Sequence, residues 1–317
     1  MKIIDHIKSA EGTLFSFEIL PPLKGNSIES LYSGIDPLME FKPKFIDVTY
    51  HREEHVLRER PDGGFDRIAT RKRPGTVGIC AAIMNKYHID AVPHLICGGF
   101  SREETENALI DLAFLGIDNV LALRGDNLKG DNMFKPEENG NQNALELVNQ
   151  IRDMNKGIYL DEELKNATPT DFCIGIAGYP EKHQDAPNLR SDISFLKKKV
   201  EAGAEFIVTQ MFFDNKKYFE FVQQCRDGGI DVPIIPGLKP FASQKQLFAL
   251  PKIFHIDLPD DLVNEVEKAK NNQQVKEIGI QWCAQQSKEL KAAGVPVLHF
   301  YTMGKSEATY AVAKEVF

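Results

Sequence analysis

The sequence predicts an α/β protein, a single (β/α)8 barrel of the TIM type spanning residues 1–317. Three observations carry that expectation. Short β-rich runs alternate with longer helical ones from end to end. Several of the β runs are apolar throughout, as at Phe206-Ile207-Val208 and Ile234-Ile235, the pattern of strands covered on both faces in a parallel sheet. Nearly every run also ends on a polar side chain, as strands opening on one common rim would. Alternation alone leaves a doubly wound open sheet as the second reading.

In chain order, strands are expected at 14–19, 45–49, 91–96, 119–123, 172–177, 206–210, 232–236 and 297–301. Helices are expected at 28–40, 74–88, 101–115, 143–154, 191–202, 216–226, 244–250, 262–270, 275–293 and 307–316. Ser101 followed three residues later by Glu104 is a capping box, which opens the third of these. Gly116 and Gly203 stand where C-cap glycines belong. The stretch 126–142, rich in Gly, Asn and Lys, has the length of a functional lid.

Composition narrows the function classes. The 317 residues are 42% hydrophobic and 26% charged, which supports a large buried core and argues against disorder. A net charge of -8, with basic runs no longer than Arg71-Lys72-Arg73 and Lys197-Lys198-Lys199, argues against a nucleic-acid partner. Five scattered cysteines without a Cys-x-x-Cys pair fit a reducing compartment rather than a disulfide framework or zinc ribbon. The N-terminus has no apolar leader-like region, and no stretch approaches the ~18 apolar residues of a membrane span. A cytoplasmic protein is expected.

The polar strand ends are Glu18, Thr49-Tyr50, His94, Arg124-Gly125-Asp126, Tyr179, Gln210, and His299 with Tyr301. Each also has an ordinary reading. Glu18 could point to solvent, Asp126 could pair with Arg124, His94 could be a satisfied core histidine, and Gln210 could cap backbone groups. If Glu18 instead faces the apolar mouth of a barrel, desolvation raises its pKa and makes it a general acid. No Gly-x-Gly-x-x-Gly follows a strand. His51-Arg52-Glu53-Glu54-His55 fits a zinc-peptidase pattern but lacks a helix around it, so no metal is expected.

Taken together, Phe17-Glu18 before Pro21-Pro22, Lys42-Pro43-Lys44-Phe45, Val48-Thr49-Tyr50, Pro93-His94-Leu95 and Ala122-Leu123-Arg124-Gly125-Asp126 resemble the methylenetetrahydrofolate reductase family. Gly178-Tyr179-Pro180-Glu181, Thr209-Gln210-Met211-Phe212-Phe213-Asp214, Ile235-Pro236-Gly237 and His299-Phe300-Tyr301-Thr302 continue the resemblance in the family's order. It looks like the bacterial type, a catalytic barrel alone.

The resemblance implies a barrel holding non-covalent FAD that reduces 5,10-methylenetetrahydrofolate to 5-methyltetrahydrofolate with NADH or NADPH, by ping-pong hydride transfer, supplying methyl groups for methionine synthesis. Carried over by position, Glu18 matches the acid that assists opening of the folate ring, and Asp126 the carboxylate beside flavin and pterin. Thr49, Tyr50, His94, Leu123, Arg124, Gly125, Asp126, Ala144, Tyr179, His183, Asp192 and Lys199 match flavin-contacting positions. Asp192 and Lys199 fall on one helix face, two turns apart. Gln210 matches a pterin contact, and Lys305 stands where the family has an Arg near the glutamate tail. Bacterial relatives form homo-oligomers, which the resemblance extends to this chain. Departures from the family pattern fall at His51, Asn143, Gln244 and Lys305. The alternative is a flavin- or folate-binding barrel with different or no catalytic activity.

Overall fold

The computed structural model describes residues 1–70, 72–127 and 133–317. Of the features singled out above, Arg71, the 128–132 part of the long loop, and the side chains of Glu54 and His55 lie outside the described residues.

The chain runs α1 (Ile3–Ser9), β1 (Leu14–Ile19), α2 (Ile28–Ile35), a 3-10 turn (Asp36–Phe41), β2 (Phe45–Val48), β3 (Glu54–Glu59), β4 (Phe65–Thr70), α3 (Thr76–Tyr87) and β5 (Asp90–Ile96). It continues with α4 (Arg102–Phe114), β6 (Asn119–Leu123), α5 (Ala144–Met154), β7 (Cys173–Gly178), α6 (Leu189–Glu201), β8 (Phe206–Thr209) and α7 (Asn215–Asp227). The last part holds β9 (Ile234–Ile235), β10 (Gly237–Leu238), α8 (Gln246–Phe254), α9 (Asp260–Lys268), α10 (Asn272–Ala292), β11 (Val297–Tyr301) and α11 (Glu307–Val316).

The main sheet has nine parallel strands in the order β10-β11-β1-β2-β5-β6-β7-β8-β9. Its two ends are halves of one strand. Pro236, which has no N–H to give a ladder, separates β9 from β10. The first half pairs with β8 and the second with β11, and His299 N–H donates to the Pro236 carbonyl at 3.2 Å. The ring therefore closes as the expected (β/α)8 barrel, with its seventh strand broken.

Strand alternation sorts the core into two compartments. Phe15, Phe17, Ile46, Val48, Ile174, Ile176 and Phe300 face outward into the strand–helix layer. Phe45, Val92, Leu121, Cys173, Phe206, Val208, Ile235 and Val297 fill the barrel interior. Ile3 of α1 joins the interior set and plugs the N-terminal end, where its N–H donates to Asn119 Oδ1 at 2.8 Å. The capping box on α4 forms as expected: Ser101 Oγ accepts from Glu104 N–H, and Glu104 Oε2 accepts from Ser101 N–H. No helix among the described residues is long and apolar enough to cross a membrane.

Two elements were not foreseen: α1, and the antiparallel hairpin β3–β4. The hairpin turns at Pro61-Asp62-Gly63-Gly64, where Gly63 takes φ +76° and Gly64 N–H donates to Asp62 Oδ1. Its first strand begins at Glu54, so the His51–His55 pattern runs into extended chain rather than a helix.

Candidate active site

Parallel strands deliver their C-terminal ends to one rim, and the inward positions of β1, β2, β5 and β11 are polar there. Alternation in β1 turns Phe15, Phe17 and Ile19 outward, which leaves Ser16 and Glu18 facing in. By the same rule Asp47, His94, His299 and Tyr301 point inward from their strands. Ser16, Asp47, His94 and His299 are all buried. Glu18 and Asp47 are register partners on neighbouring strands, as are Ser16 and His299.

His94 stands between two carboxylates. Its Nε2 lies 3.4 Å from Asp47 Oδ2 and 3.7 Å from Glu18 Oε2. The Glu18 side chain is 16% exposed, whereas that of Asp47 is only 1% exposed. Burial pushes the Glu18 carboxyl up to about 7; His94 pulls it back and Asp47 adds to the rise. For His94 burial favours the neutral ring, but Asp47 and Glu18 outweigh it and hold the imidazole above its ordinary value. Burial lowers His299, whose Nδ1 pairs with Ser16 Oγ at 2.9 Å. The Tyr301 hydroxyl donates to the Thr209 carbonyl at 2.6 Å, and the Thr302 hydroxyl donates to the Glu18 carbonyl at 2.7 Å, which fixes the acid's backbone.

Beside this cluster, beyond the ends of β6 and β7, lies a cavity of about 330 Å³. Leu123, Arg124, Ala144, Tyr179, His183, Asp192 and Lys199 line it, each a position the sequence had singled out for the flavin. Asn143, which caps α5 by accepting from the N–H groups of Leu145 and Glu146, lines it too. So do Ser191 and Asp192 in the first turn of α6, which Asn188 caps. Two helix N-termini therefore turn their positive ends toward one space, as anion sites commonly do.

The charged lining agrees with that. Lys199 is buried, its Nζ donates to the Ala177 carbonyl at 3.3 Å, and it has no ion-pair partner among the described residues. Burial pulls its ammonium down to about 8, although Asp192 opposes the fall. Asp192 Oδ2 accepts from the His183 N–H at 2.7 Å, and the His183 and Tyr179 rings meet edge to face with centroids 4.8 Å apart. Arg124 pairs with Asp185 and lies over the Phe134 ring. A buried ammonium, a guanidinium and two helix ends suit an anionic group such as the diphosphate of FAD, and the volume suits part of such a dinucleotide.

The remaining positions fall around these two sites. Thr49 Oγ1 donates to the Ile19 carbonyl, and Tyr50 packs on Phe100 with centroids 4.8 Å apart. Gly125 takes φ +85°, with Ile96 close behind it, which favours glycine there. Asp126 is exposed, and its carbonyl accepts from Arg52. Burial first, and then the charges of Asp192 and Asp126, push the Tyr179 hydroxyl above its ordinary value. Gln210 Oε1 accepts from its neighbour's N–H at Met211. Gln244 donates to the Ala269 carbonyl at the end of α9. Lys305 is exposed in the turn before α11. His94 does not line the cavity; it lies inside the barrel.

Sequence reasoning missed Asp47, Asp185 and Phe195. Asp47 did leave a signal: a carboxylate between Ile46 and Val48 in a strand apolar on both faces must be paired or functional. Asp185 and Phe195 left none, since each looks like an ordinary loop or helix residue.

Comparison with known proteins agrees with the geometry. The family model described as methylenetetrahydrofolate reductase matches residues 2–316. Methylenetetrahydrofolate reductase (NADH) 1 of Arabidopsis thaliana is 34% identical over 98% of this chain and 50% of its own length. The 5,10-methylenetetrahydrofolate reductase of Pectobacterium carotovorum is 31% identical over 94% of this chain and 88% of its own. The chain thus spans about half the length of the plant relatives and most of the bacterial ones. Among solved structures, an uncharacterised Clostridium thermocellum protein that binds two copies of 5-methyl-5,6,7,8-tetrahydrofolic acid superposes with a TM-score of 0.61. That match covers 99% of this chain and 98% of the other; at 15% identity it speaks for the fold alone. The chain belongs to the methylenetetrahydrofolate reductase family.

Proposed function

We propose that residues 1–317 form one catalytic barrel that reduces 5,10-methylenetetrahydrofolate to 5-methyltetrahydrofolate with NADH or NADPH as the hydride source and non-covalent FAD as the carrier. Bound there, FAD would supply the hydride carriage between nicotinamide and folate. The observation that carries this reading is Glu18, a carboxyl held near pH 7 by burial at a rim shared with a cavity that suits an anionic cofactor.

In the folate half, Glu18 donates its proton to the ring nitrogen that leaves the bridging methylene. The carbon–nitrogen bond breaks, its electron pair takes that proton, and the methylene becomes an iminium on the other nitrogen, ready to accept hydride. Asp126 supplies a negative charge near that cation. Arg124, Lys199 and the N-termini of α5 and α6 would hold the diphosphate of FAD, Asp192 would take ribityl hydroxyls, and Tyr179, Leu123 and Ala144 would close the apolar sides. Thr49, Tyr50 and Gly125 would border the flavin at the rim, Gln210 would meet the pterin, and Lys305 would meet the glutamate tail. Relatives are named for NADH and for NADPH, so either nicotinamide fits the family. The enzyme works in the cytoplasm, as a homo-oligomer.

Purified protein should bind FAD and turn yellow. Under anaerobic conditions the colour should bleach with NADH or NADPH and return on adding methylenetetrahydrofolate. Flavin that bleaches without returning, or never bleaches, would refute the reductase reading.

A further inference from the structure

Inside the barrel, below the rim, Asp47, His94 and His299 are buried, and the reaction as described gives none of the three a role. Asp47 is fully buried, and neither of its oxygens has a hydrogen-bond partner among the described residues. A buried carboxylate with no hydrogen bond needs a cation beside it. The titratable groups in its reach are Glu18 on β1, His94 on β5, and His299 and Tyr301 on β11, with Cys80 on α3 feeling its charge from the helix layer. Burial keeps the Cys80 thiol and the Tyr301 hydroxyl protonated and neutral. It also favours the neutral form of His299, whose Nδ1 is engaged by Ser16. His94, at 3.4 Å, is left as the cation for Asp47, and the same nitrogen faces Glu18 at 3.7 Å.

We propose that Asp47 and His94 are positioning residues for the acid: Asp47 holds the His94 imidazole protonated, and that cation keeps Glu18 acidic enough to release its proton near neutral pH. This inference rests on the reading of Glu18 as the proton donor. Its physical content is a balance. Burial and the Asp47 charge both drive Glu18 toward a carboxyl too weak to give up its proton. The His94 cation offsets them, and it stabilises the carboxylate left behind once the proton has moved to the folate nitrogen. The cation persists in a low-dielectric interior because a full carboxylate lies on its other side. Asp47 thus acts on Glu18 in two ways, directly through its charge and indirectly through the imidazole.

The experiment combines NMR titration of the His94 imidazole with the pH profile of the folate half-reaction, in wild type, His94→Gln, Asp47→Asn and the double variant. In the wild type His94 stays protonated past pH 7; an imidazole neutral at pH 7 would overturn the proposal without any variant being made. Asp47→Asn lowers the His94 midpoint by about one pH unit or more. His94→Gln raises, by about one pH unit or more, the pH at which the folate half-reaction falls off. In the Asp47→Asn background that second shift shrinks, because the imidazole there is no longer a cation. A His94 midpoint indifferent to Asp47, a fall-off unmoved by His94→Gln, or strictly additive shifts would each reject it. A purely structural role predicts loss of stability with the pH profile in place, so that outcome also counts against it. If the wild type turns over no folate, the reductase reading fails separately, and carbon NMR of the Glu18 carboxyl reads the same shifts in the protein without substrate.

Discussion

Lys199 Nζ lies 3.3 Å from the Ala177 carbonyl oxygen, in a cavity wall where it forms no ion pair among the described residues and only the charge of Asp192 opposes its burial. A buried cation without an ion pair destabilises a protein on its own and favours binding of an anion. Lys199→Met should therefore have effects of opposite sign. Thermal unfolding should show the FAD-free protein stabilised, by about 1–3 kcal/mol. FAD affinity, read by fluorescence quenching, should fall roughly tenfold to a hundredfold. Loss of both would mean that the amine has a structural partner.

The pH dependence follows from the same residue. Its folded value, about 8, lies below the ordinary 10.5, so between these the unfolded chain binds more protons than the folded one. The buried ammonium therefore makes FAD-free protein more stable as pH rises from about 8 to 10.5, by up to about 1.4 kcal/mol per pH unit. FAD affinity should move the other way and weaken above pH 8, since the diphosphate needs the charged amine. Urea unfolding across that range, compared with Lys199→Met, isolates the contribution. A curve identical in wild type and variant contradicts it.

At the opposite end of the barrel, Asn119 Oδ1 accepts from Ile3 N–H at 2.8 Å and its Nδ2 donates to the Met1 carbonyl at 2.9 Å. Asn119→Ala leaves a buried N–H unpaired and loosens the α1 plug. The expected loss is about 1–3 kcal/mol in chemical denaturation, with both half-reactions retained. An unchanged midpoint would show that α1 is held by apolar contact alone.

Gly175 makes room for the interior. A Cβ there would stand 2.2 Å from the Phe206 ring and 2.9 Å from Leu121. Gly175→Ala should lower stability by about 1–3 kcal/mol, because the ring has no empty space to enter. Gly175→Ala with Phe206→Leu should recover part of that loss. Failure of the pair to recover anything would place the strain elsewhere.

Much of the barrel was legible because its strands are written in residues that only a doubly covered sheet tolerates. β1, β6 and β11 begin and end at the residues expected, each rich in large apolar side chains. The broken seventh strand was not legible, since Ile234-Ile235-Pro236-Gly237 reads as one run until Pro236 is asked for its N–H. The β3–β4 hairpin stayed hidden because Leu57 and Phe65 are exposed and its strands carry charges. Only its Asp62-Gly63-Gly64 turn advertised it. Within the site, Arg124, Tyr179, His183, Asp192 and Lys199 could be named from the family pattern, and they do meet in one cavity. The contact of His94 with Asp47 could not be, because it depends on the register of β2 against β5, strands more than forty residues apart with the β3–β4 hairpin and α3 between them.

The central claim is that Glu18 is the acid of the folate half-reaction and of nothing else. Stopped-flow absorbance of Glu18→Gln, reconstituted with FAD, separates the halves. Flavin reduction by NADH or NADPH should stay within about threefold of wild type, and reoxidation by methylenetetrahydrofolate should slow by about a hundredfold to ten-thousandfold. In the wild type that second step should fade as pH rises through about 7, where the carboxyl loses its proton. Equal slowing of both halves, or a folate step that survives the substitution, would contradict the account.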